Sequence, residues 1–319
     1  MLNRIGDWVA SRVHGRAPCT NVYGLARTLL ALSTALTLVA NDTRTLFVPL
    51  AGIAATPPFC QGHGAIGIFC LSPELELARW SAIAILLVVA SGWRPRVTGV
   101  AHWWVAASLQ WNASVLDGGD QVCMVLALLL LPLTVLDGRR WHWDPPAPMR
   151  SEAAALVGWS TWIAVRVQVA AVYYHAGVAK YGVDEWGDGT ALWYWFRNPT
   201  FGAPEALQPI VQPVIASATA LPLLTWSVLV LEFLLAGALW MPPGARRVLF
   251  PLGCALHVGI ALVHGITSFA LAMIAALLLY LHAPDRRLAM PRVLARARAW
   301  LRHPTRAPSV AGSVVTDVA

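Results

Sequence analysis

Charge is scarce in this chain of 319 residues, because only 12% of them are Asp, Glu, Lys or Arg. A soluble domain carries about 25% charged residues, so the composition excludes an ordinary soluble protein. Apolar residues make up 57% of the chain, and its mean hydropathy is +0.59. They fall into blocks long enough to cross a hydrocarbon core of about 30 Å. The sequence therefore predicts an all-α fold, a polytopic helical bundle integral to a membrane.

Familiar catalytic motifs are missing as well. The chain contains no Walker loop, no H-E-x-x-H, no G-x-S-x-G and no C-x-x-C. Gly62–Gly67 matches G-x-G-x-x-G, but no strand pattern precedes it and no helix pattern follows, which argues against a nucleotide site. The nine histidines lack ligand spacing, so no metal is expected. No nucleic-acid motif occurs, and nucleic acid is not an expected partner.

Eight apolar segments are candidate membrane spans, and the fourth is the weakest because it must include Asp120 and Gln121. If the N-terminus is cytoplasmic, the loops on that side hold seventeen cations, whereas the outer loops hold only Arg44, Lys180 and Arg197. Such an asymmetry predicts eight spans with both termini in the cytoplasm. The spans are 21–40, 77–93, 98–116, 121–136, 155–179, 221–241, 247–264 and 266–282.

The two ends of the chain differ from this central part. Residues 1–20 are weakly amphipathic, which predicts a segment lying on the inner membrane surface. Residues 21–285 form the transmembrane domain. Residues 286–319 form a basic cytoplasmic tail that should contact anionic headgroups, and its last residues are predicted to be disordered.

Two of the five cysteines fall in the first outer segment. Cys60 and Cys70 flank "QGHGAIGIF" on the side that is oxidising in most cells. A Cys60–Cys70 disulfide is one interpretation, and two unpaired thiols in an apolar loop is the other.

Polar side chains inside the spans are costly and need a reason. Glu232 is the one carboxylate placed deep in a predicted span, with Arg166 or Arg27 as its expected partner. A structural ion pair is one interpretation. The other is a pocket that positions a polar substrate or redox head group. The candidate network comprises Arg27, His102, Asn112, Arg166, Tyr173, His175 and Glu232.

Lys180 is the only lysine, against twenty-two arginines. It follows Arg166 and Tyr173 at intervals of seven, so the three share one helix stripe. A lysine at the end of a span can extend its side chain to the headgroups. A desolvated lysine can instead lose its proton and act as a base or nucleophile, which arginine cannot do. Composition alone leaves both interpretations open.

The stretch "YYHAGVAKYGVDEWGDGTA" resembles the tyrosine–alanine–glycine–x–x–lysine…tryptophan–x–x–glycine pattern of the HTTM membrane domain, which vitamin K-dependent gamma-carboxylase shares. "DGGDQVCMVLALLLLP", "LVLEFLLAG" and "CALHVGIALVHGITSFALAMIAALLL" are similar to later blocks in the same order. "TNVYGLARTLLALSTALTL" and "WYWFRNPTFGAP" look most like the SdpB (sporulation-delaying protein B) family. The resemblance covers roughly residues 15–285.

This resemblance implies a role for particular residues. Lys180 stands where the carboxylase has the base that deprotonates reduced vitamin K, and His257 falls on a histidine of a later block. Both are candidate catalytic residues. The implied cofactor is at most a menaquinol-type quinone. The chain lacks the carboxylase's lumenal domain, so full glutamate carboxylation is not expected.

The resemblance also implies a setting, namely the bacterial plasma membrane. The implied partners are a secreted precursor peptide and a small SdpA-like protein, besides the lipid bilayer. Three hypotheses follow: a maturation factor for a secreted antimicrobial peptide toxin, a non-catalytic scaffold or export partner, and a quinol-dependent modifying enzyme with another substrate. Whether the chain is an enzyme is left open.

Overall fold

The computed structural model describes residues 18–52, 55–146, 149 and 151–288. The described residues up to Arg286 belong to one compact unit, and residues 287 and 288 are the described part of a second. The predicted surface segment 1–20 and basic tail 286–319 therefore lie almost wholly outside the described residues. The part of the chain that is described is helical and contains no strand.

Eight long helices coincide with the eight apolar segments, with ends that differ by at most four residues. Five of them (α1, α4, α5, α7 and α6 with its extension to Trp240) are long and apolar enough to cross a membrane. Their bounds are α1 Asn21–Ala40, α2 Leu75–Ser91, α3 Pro95–Asn112, α4 Gly118–Leu136, α5 Glu152–Tyr181, α6 Ala220–Gly237, α7 Pro243–His264 and α8 Thr267–Leu281.

Short helical pieces occupy several of the connections. They are the α-helical turns Thr43–Leu46, Ile68–Leu71, Asp184–Gly187, Ala191–Phe196 and Gln208–Ile215, and the 3-10 turns Gly62–Ile66, Glu205–Leu207 and Ala238–Trp240.

Local sequence signals set the helix ends. Asp117 caps α4 and forms a capping box with Asp120, so the predicted weakest span has a strong start. The side chain of Ser151 accepts a hydrogen bond from the Ala154 N–H and caps α5. α2 and α7 each end at a glycine in the left-handed region, Gly92 with φ +87° and Gly265 with φ +75°.

The shortest long helix, α8, is the centre of the bundle. It packs against α1, α4, α5 and α7, and every residue from Met273 to Leu281 except Ile274 is buried. A helix that is apolar on all sides is stable when other helices surround it. α6 packs chiefly on α5, whereas α7 packs chiefly on α8.

Residues 183–219, which we call the cap, connect α5 to α6 and pack on the first half of α6. Trp186, Leu192 and Ile215 form a small core with Leu221 and Leu229. The Trp226 Nε1–H donates to the Gly187 carbonyl oxygen at 3.2 Å, which ties the cap to α6 again. The cap therefore covers the end of α5, where Lys180 lies.

Candidate functional site

Lys180 lies one residue before the end of α5, and its side chain reaches α6. Its Nζ donates to Glu232 Oε1 at 2.8 Å and to the Ala176 carbonyl oxygen at 3.4 Å. The side chain of Lys180 is 27% exposed and that of Glu232 only 9%. The lysine is thus held by a carboxylate within the protein.

The prediction that Arg166 or Arg27 pairs with Glu232 is wrong. α5 and α6 are neighbours in the bundle, and Lys180 is the α5 residue that lies at the level of Glu232. Arg166 precedes it by fourteen residues, or about 21 Å of helix. Its Nη2 instead donates to the His282 carbonyl oxygen at 2.6 Å, at the end of α8.

The cap closes this ion pair on one side. Trp186 is buried, and its ring centroid lies 5.6 Å from Lys180 Nζ. An aromatic face at that distance attracts an ammonium ion. Asp184 and Glu185, on the same short helix, are exposed and do not pair with the lysine. Glu232 is therefore the acid that acts on Lys180.

A second polar pair lies one heptad from Lys180 on α5. The Tyr173 hydroxyl and His257 Nε2 are 2.8 Å apart, and both side chains are buried. The Phe269 ring packs edge-on against the His257 imidazole, with centroids 5.6 Å apart. Neither His257 Nδ1 nor Glu232 Oε2 has a hydrogen-bond partner among the described residues. Both atoms are enclosed by the protein and keep an unused capacity for hydrogen bonding.

The two pairs supply an amine, a carboxylate, a phenol and an imidazole within adjacent turns of α5, α6 and α7. Such groups can donate, accept and relay protons. Among the described residues, no three His, Cys, Asp or Glu side chains come together as metal ligands. The arrangement therefore suits acid–base or amine chemistry.

Arg27, expected in the same network, belongs to a different cluster. Its Nη1 lies 3.3 Å from His142 Nδ1, and its Nη2 donates to Thr98 Oγ1 at 3.1 Å. His142 Nε2 is also 3.3 Å from Thr28 Oγ1, which donates to the Ala90 carbonyl oxygen. Sequence reasoning missed His142, which stands in a short connection between Trp141 and Trp143 and carries no pattern of its own.

Three further candidates do not join the Lys180 site. His102 is buried within the electrostatic field of Arg27, and its Nε2 has no partner among the described residues. His175 is exposed and packs edge-on against Tyr174. Asn112 is buried at the end of α3, where its amide donates to the carbonyl oxygens of Phe59 and Gly64.

Asn112 thereby anchors the loop that holds Cys60 and Cys70. Cys60 and Cys70 are joined by a disulfide, with 5.6 Å between their Cα atoms. Two of the three glycines of the rejected nucleotide motif have a packing role, because a Cβ on Gly64 or Gly67 would collide with neighbouring atoms, including those of Asn112.

Glu232 is not the only deeply buried carboxylate. Asp120, in the first turn of α4, is 3% exposed and accepts a hydrogen bond from Thr37 Oγ1 at 2.9 Å. Its neighbour Asp117 accepts one from Ser268 Oγ at 3.0 Å. These bonds tie α4 to α1 and α8. The "DGGD" start of α4 was the available signal, but it was interpreted as a weak span end.

A cavity of about 10 Å³ between α4, α5 and α8 has room for about one water molecule. It does not fit a quinone ring, so no chemical step below is assigned to a quinone. Its lining consists of Gln168 and seven apolar residues: Val122, Val125, Leu126, Val169, Val172, Met273 and Ala276.

Comparison with known proteins gives two relatives and one domain. Residues 122–284 match the HTTM domain. The chain is similar to YitO of Bacillus subtilis (strain 168), at 38% identity over 291 residues that cover 89% of this chain and 92% of YitO. It is also similar to the sporulation-delaying protein SdpB of the same organism, at 36% identity over 278 residues that cover 86% of this chain and 84% of SdpB. No solved structure matches the chain.

Proposed function

Because this chain belongs to the SdpB-like family of HTTM-domain proteins, we propose that it acts in the maturation of a secreted antimicrobial peptide. It is a membrane protein, and its family points to the sporulation-delaying peptide system. In this proposal it resides in the bacterial plasma membrane and works on the precursor peptide at the outer face, together with a small SdpA-like partner.

The proposed topology has all eight long helices crossing the membrane and both termini in the cytoplasm. Each of the eight helices coincides with a predicted apolar span. The connections and terminal segments that would then face the cytoplasm carry seventeen of the 22 arginines, as the positive-inside rule requires. The disulfide-bonded Cys60 and Cys70 would lie on the oxidising side. Lys180 and the cap would share that outer side.

One observation carries the proposal: the only lysine of the chain is held at 2.8 Å by a buried carboxylate beneath Trp186. A lysine that only anchored the helix would extend to the headgroups. Arginine, which this chain uses for its other cations, forms stronger fixed ion pairs. An amine in this position offers what arginine lacks, a nitrogen that can lose its proton.

In the proposed mechanism, Lys180 acts on the peptide precursor as a base or nucleophile after it has lost a proton. The Tyr173–His257 pair binds or protonates a polar group of the substrate through the free His257 Nδ1. Which bond of the peptide changes depends on the substrate group that is bound beside these residues.

The test is the intact mass and yield of the secreted peptide from cells that carry wild-type protein or Lys180→Arg at equal membrane levels. We expect the yield of the mature peptide to fall at least about a hundredfold, as for loss of a catalytic amine. The unprocessed or unmodified form should accumulate. The matched control is Arg197→Lys, the reverse exchange at an exposed cation that stacks on Trp193 at 4.9 Å. It should leave the peptide unchanged.

A non-catalytic scaffold or export partner is the second candidate. The cap exposes Trp193, Tyr194, Trp195 and Phe201, and aromatic side chains are favoured at protein contacts. On this alternative Lys180→Arg is silent, and replacing these aromatic residues reduces peptide export. The same mass measurement decides between the two.

A further inference from the structure

The contacts around Lys180 point to a role for the carboxylate as well as for the amine. We infer that Glu232 is a positioning residue for Lys180: it holds the lysine as an ammonium at rest and accepts its proton when the amine is needed. This inference rests on the proposed function of Lys180, and it adds a residue that the HTTM resemblance does not assign.

The geometry supports direct proton transfer. Lys180 Nζ and Glu232 Oε1 are 2.8 Å apart, the distance of a charge-assisted hydrogen bond. One N–H bond of the ammonium breaks and one O–H bond to the carboxylate forms. The products are a neutral amine and a neutral carboxylic acid. No electron leaves the pair, and no further reactant is needed.

Burial lowers the free energy of the neutral amine–acid pair relative to that of the ion pair. Glu232 is 7% exposed, and the other polar contact that Lys180 makes is a long one to its own helix, 3.4 Å to the Ala176 carbonyl oxygen. Glu232 Oε2 has no hydrogen bond among the described residues. Neutralising two charges in a poorly solvated site recovers the cost of desolvating both. A substrate that covers the pair from the side of the cap would remove more water and favour this transfer.

Glu232 also keeps the lysine amine unreactive at rest. Lys180 sits between the carboxylate of α6 and the Trp186 ring of the cap, and both interactions favour the ammonium form. The amine is therefore withheld from nonspecific reaction at rest. The amine becomes reactive when one of its protons moves to Glu232.

The single lysine allows a test that does not depend on peptide activity. Full-length protein in dodecylmaltoside micelles, which contain no amine, is treated with ¹³C-formaldehyde and a borohydride reductant, which methylates only neutral amines. The signal then comes from Lys180 and the N-terminal amine alone. We expect Glu232→Gln to raise the methylation rate of Lys180 about tenfold at pH 8, since the amide no longer holds the ammonium. Glu232→Asp should restore a slow rate in part.

The control is Glu185→Gln, which removes an exposed acid five residues from Lys180 that does not contact it. It should leave the methylation rate unchanged. Gel filtration and membrane level show whether each variant is folded. If Glu232→Gln is not folded, Glu232→Asp still allows the test. In cells, Glu232→Gln should abolish the mature peptide, and Glu232→Asp should restore part of it.

The outcomes separate this inference from the proposed function. If Lys180→Arg abolishes the mature peptide while Glu232→Gln leaves its yield intact, Lys180 keeps its role and the inference about Glu232 is overturned. An unchanged methylation rate in Glu232→Gln overturns it equally. If Lys180→Arg is silent, the proposed function fails, whatever the methylation rate shows about the ion pair.

Discussion

Two cations of this protein differ in what surrounds them. Arg27 is 1% exposed, bonded to His142 and Thr98 between α1, α3 and the connection after α4. Lys180 is 27% exposed in its side chain, paired with one carboxylate and covered by the cap. The first cation joins several elements of the bundle. The second lies at the end of a helix, with one close polar partner.

This difference separates structural from chemical use of a cation. A guanidinium can bond several groups at once in a fixed plane, which suits a permanent junction. An ammonium with one close partner can be released by a single proton transfer. The Arg27 cluster should therefore determine whether the protein folds, and the Lys180 cluster should determine what the folded protein does.

The strongest test of this separation is Arg27→Ala. It removes a large buried side chain and leaves acceptors on His142 and Thr98 without their donor. We expect a loss of about 3 kcal/mol in the free energy of unfolding. Unfolding by SDS in mixed micelles, followed by tryptophan fluorescence, measures it.

Lys180→Ala is the matched variant, because it removes the other cation. The Lys180 side chain is partly exposed, and the Glu232 carboxylate left behind can be neutralised by a proton, so we expect a loss of about 1–2 kcal/mol with complete loss of the mature peptide. Equal destabilisation by the two variants would show that both cations are structural. The distinction between a structural Arg27 and a chemical Lys180 would then be wrong.

The glycine that ends α2 provides a smaller test of the Arg27 cluster. Gly92 has φ +87°, and a Cβ there would collide with the His142 ring. Gly92→Ala should cost about 2–3 kcal/mol, from backbone strain and from displacement of His142. SDS unfolding again provides the measurement.

Gly265 is the control, since it ends α7 with φ +75° and nothing lies within 4 Å of its Cβ position. Gly265→Ala should cost only the strain, about 1 kcal/mol. If the two alanine variants lose the same stability, the steric contact between residue 92 and the His142 ring contributes nothing to the stability.

The sequence predicts the helices much better than the contacts among their polar residues. Apolar block length places all eight long helices, and the interval of seven correctly puts Tyr173 and Lys180 on one face of α5. Pairing depends on which helices are neighbours and at what height, and no local pattern records this. Glu232 was therefore assigned to Arg166 or Arg27, although the nearest cation was Lys180.

His142 was missed for a related reason. It lies in a connection rather than a span, and only the close approach of Gly24 and Gly92 makes room for its ring. A glycine in or at the end of a helix has many explanations in a sequence, so neither glycine predicts a histidine fifty or more residues away. The disulfide was easier to anticipate, since two cysteines in one short loop leave few other partners.

The smallest effect we expect is a pH dependence that arises from His142. Burial, with Arg27 and Arg139 adding to it, lowers the pKa of His142 well below its usual value of about 6.5. The unfolded chain therefore binds a proton at a pH where the folded chain does not. Stability is complete above about pH 6.5 and falls below it, by at most about 1.4 kcal/mol per pH unit for this one group.

SDS unfolding at pH 7.5 and 5.5 tests this in wild type and in His142→Asn. Asparagine does not titrate, so the variant should be less stable at pH 7.5 but should lose less on acidification. The difference between the two slopes isolates His142 from the other histidines. If wild type and variant lose the same stability between these pH values, His142 is protonated in the folded protein. Its Nδ1 could not then accept a hydrogen bond from Arg27, and the junction would have to be held by Thr98 alone.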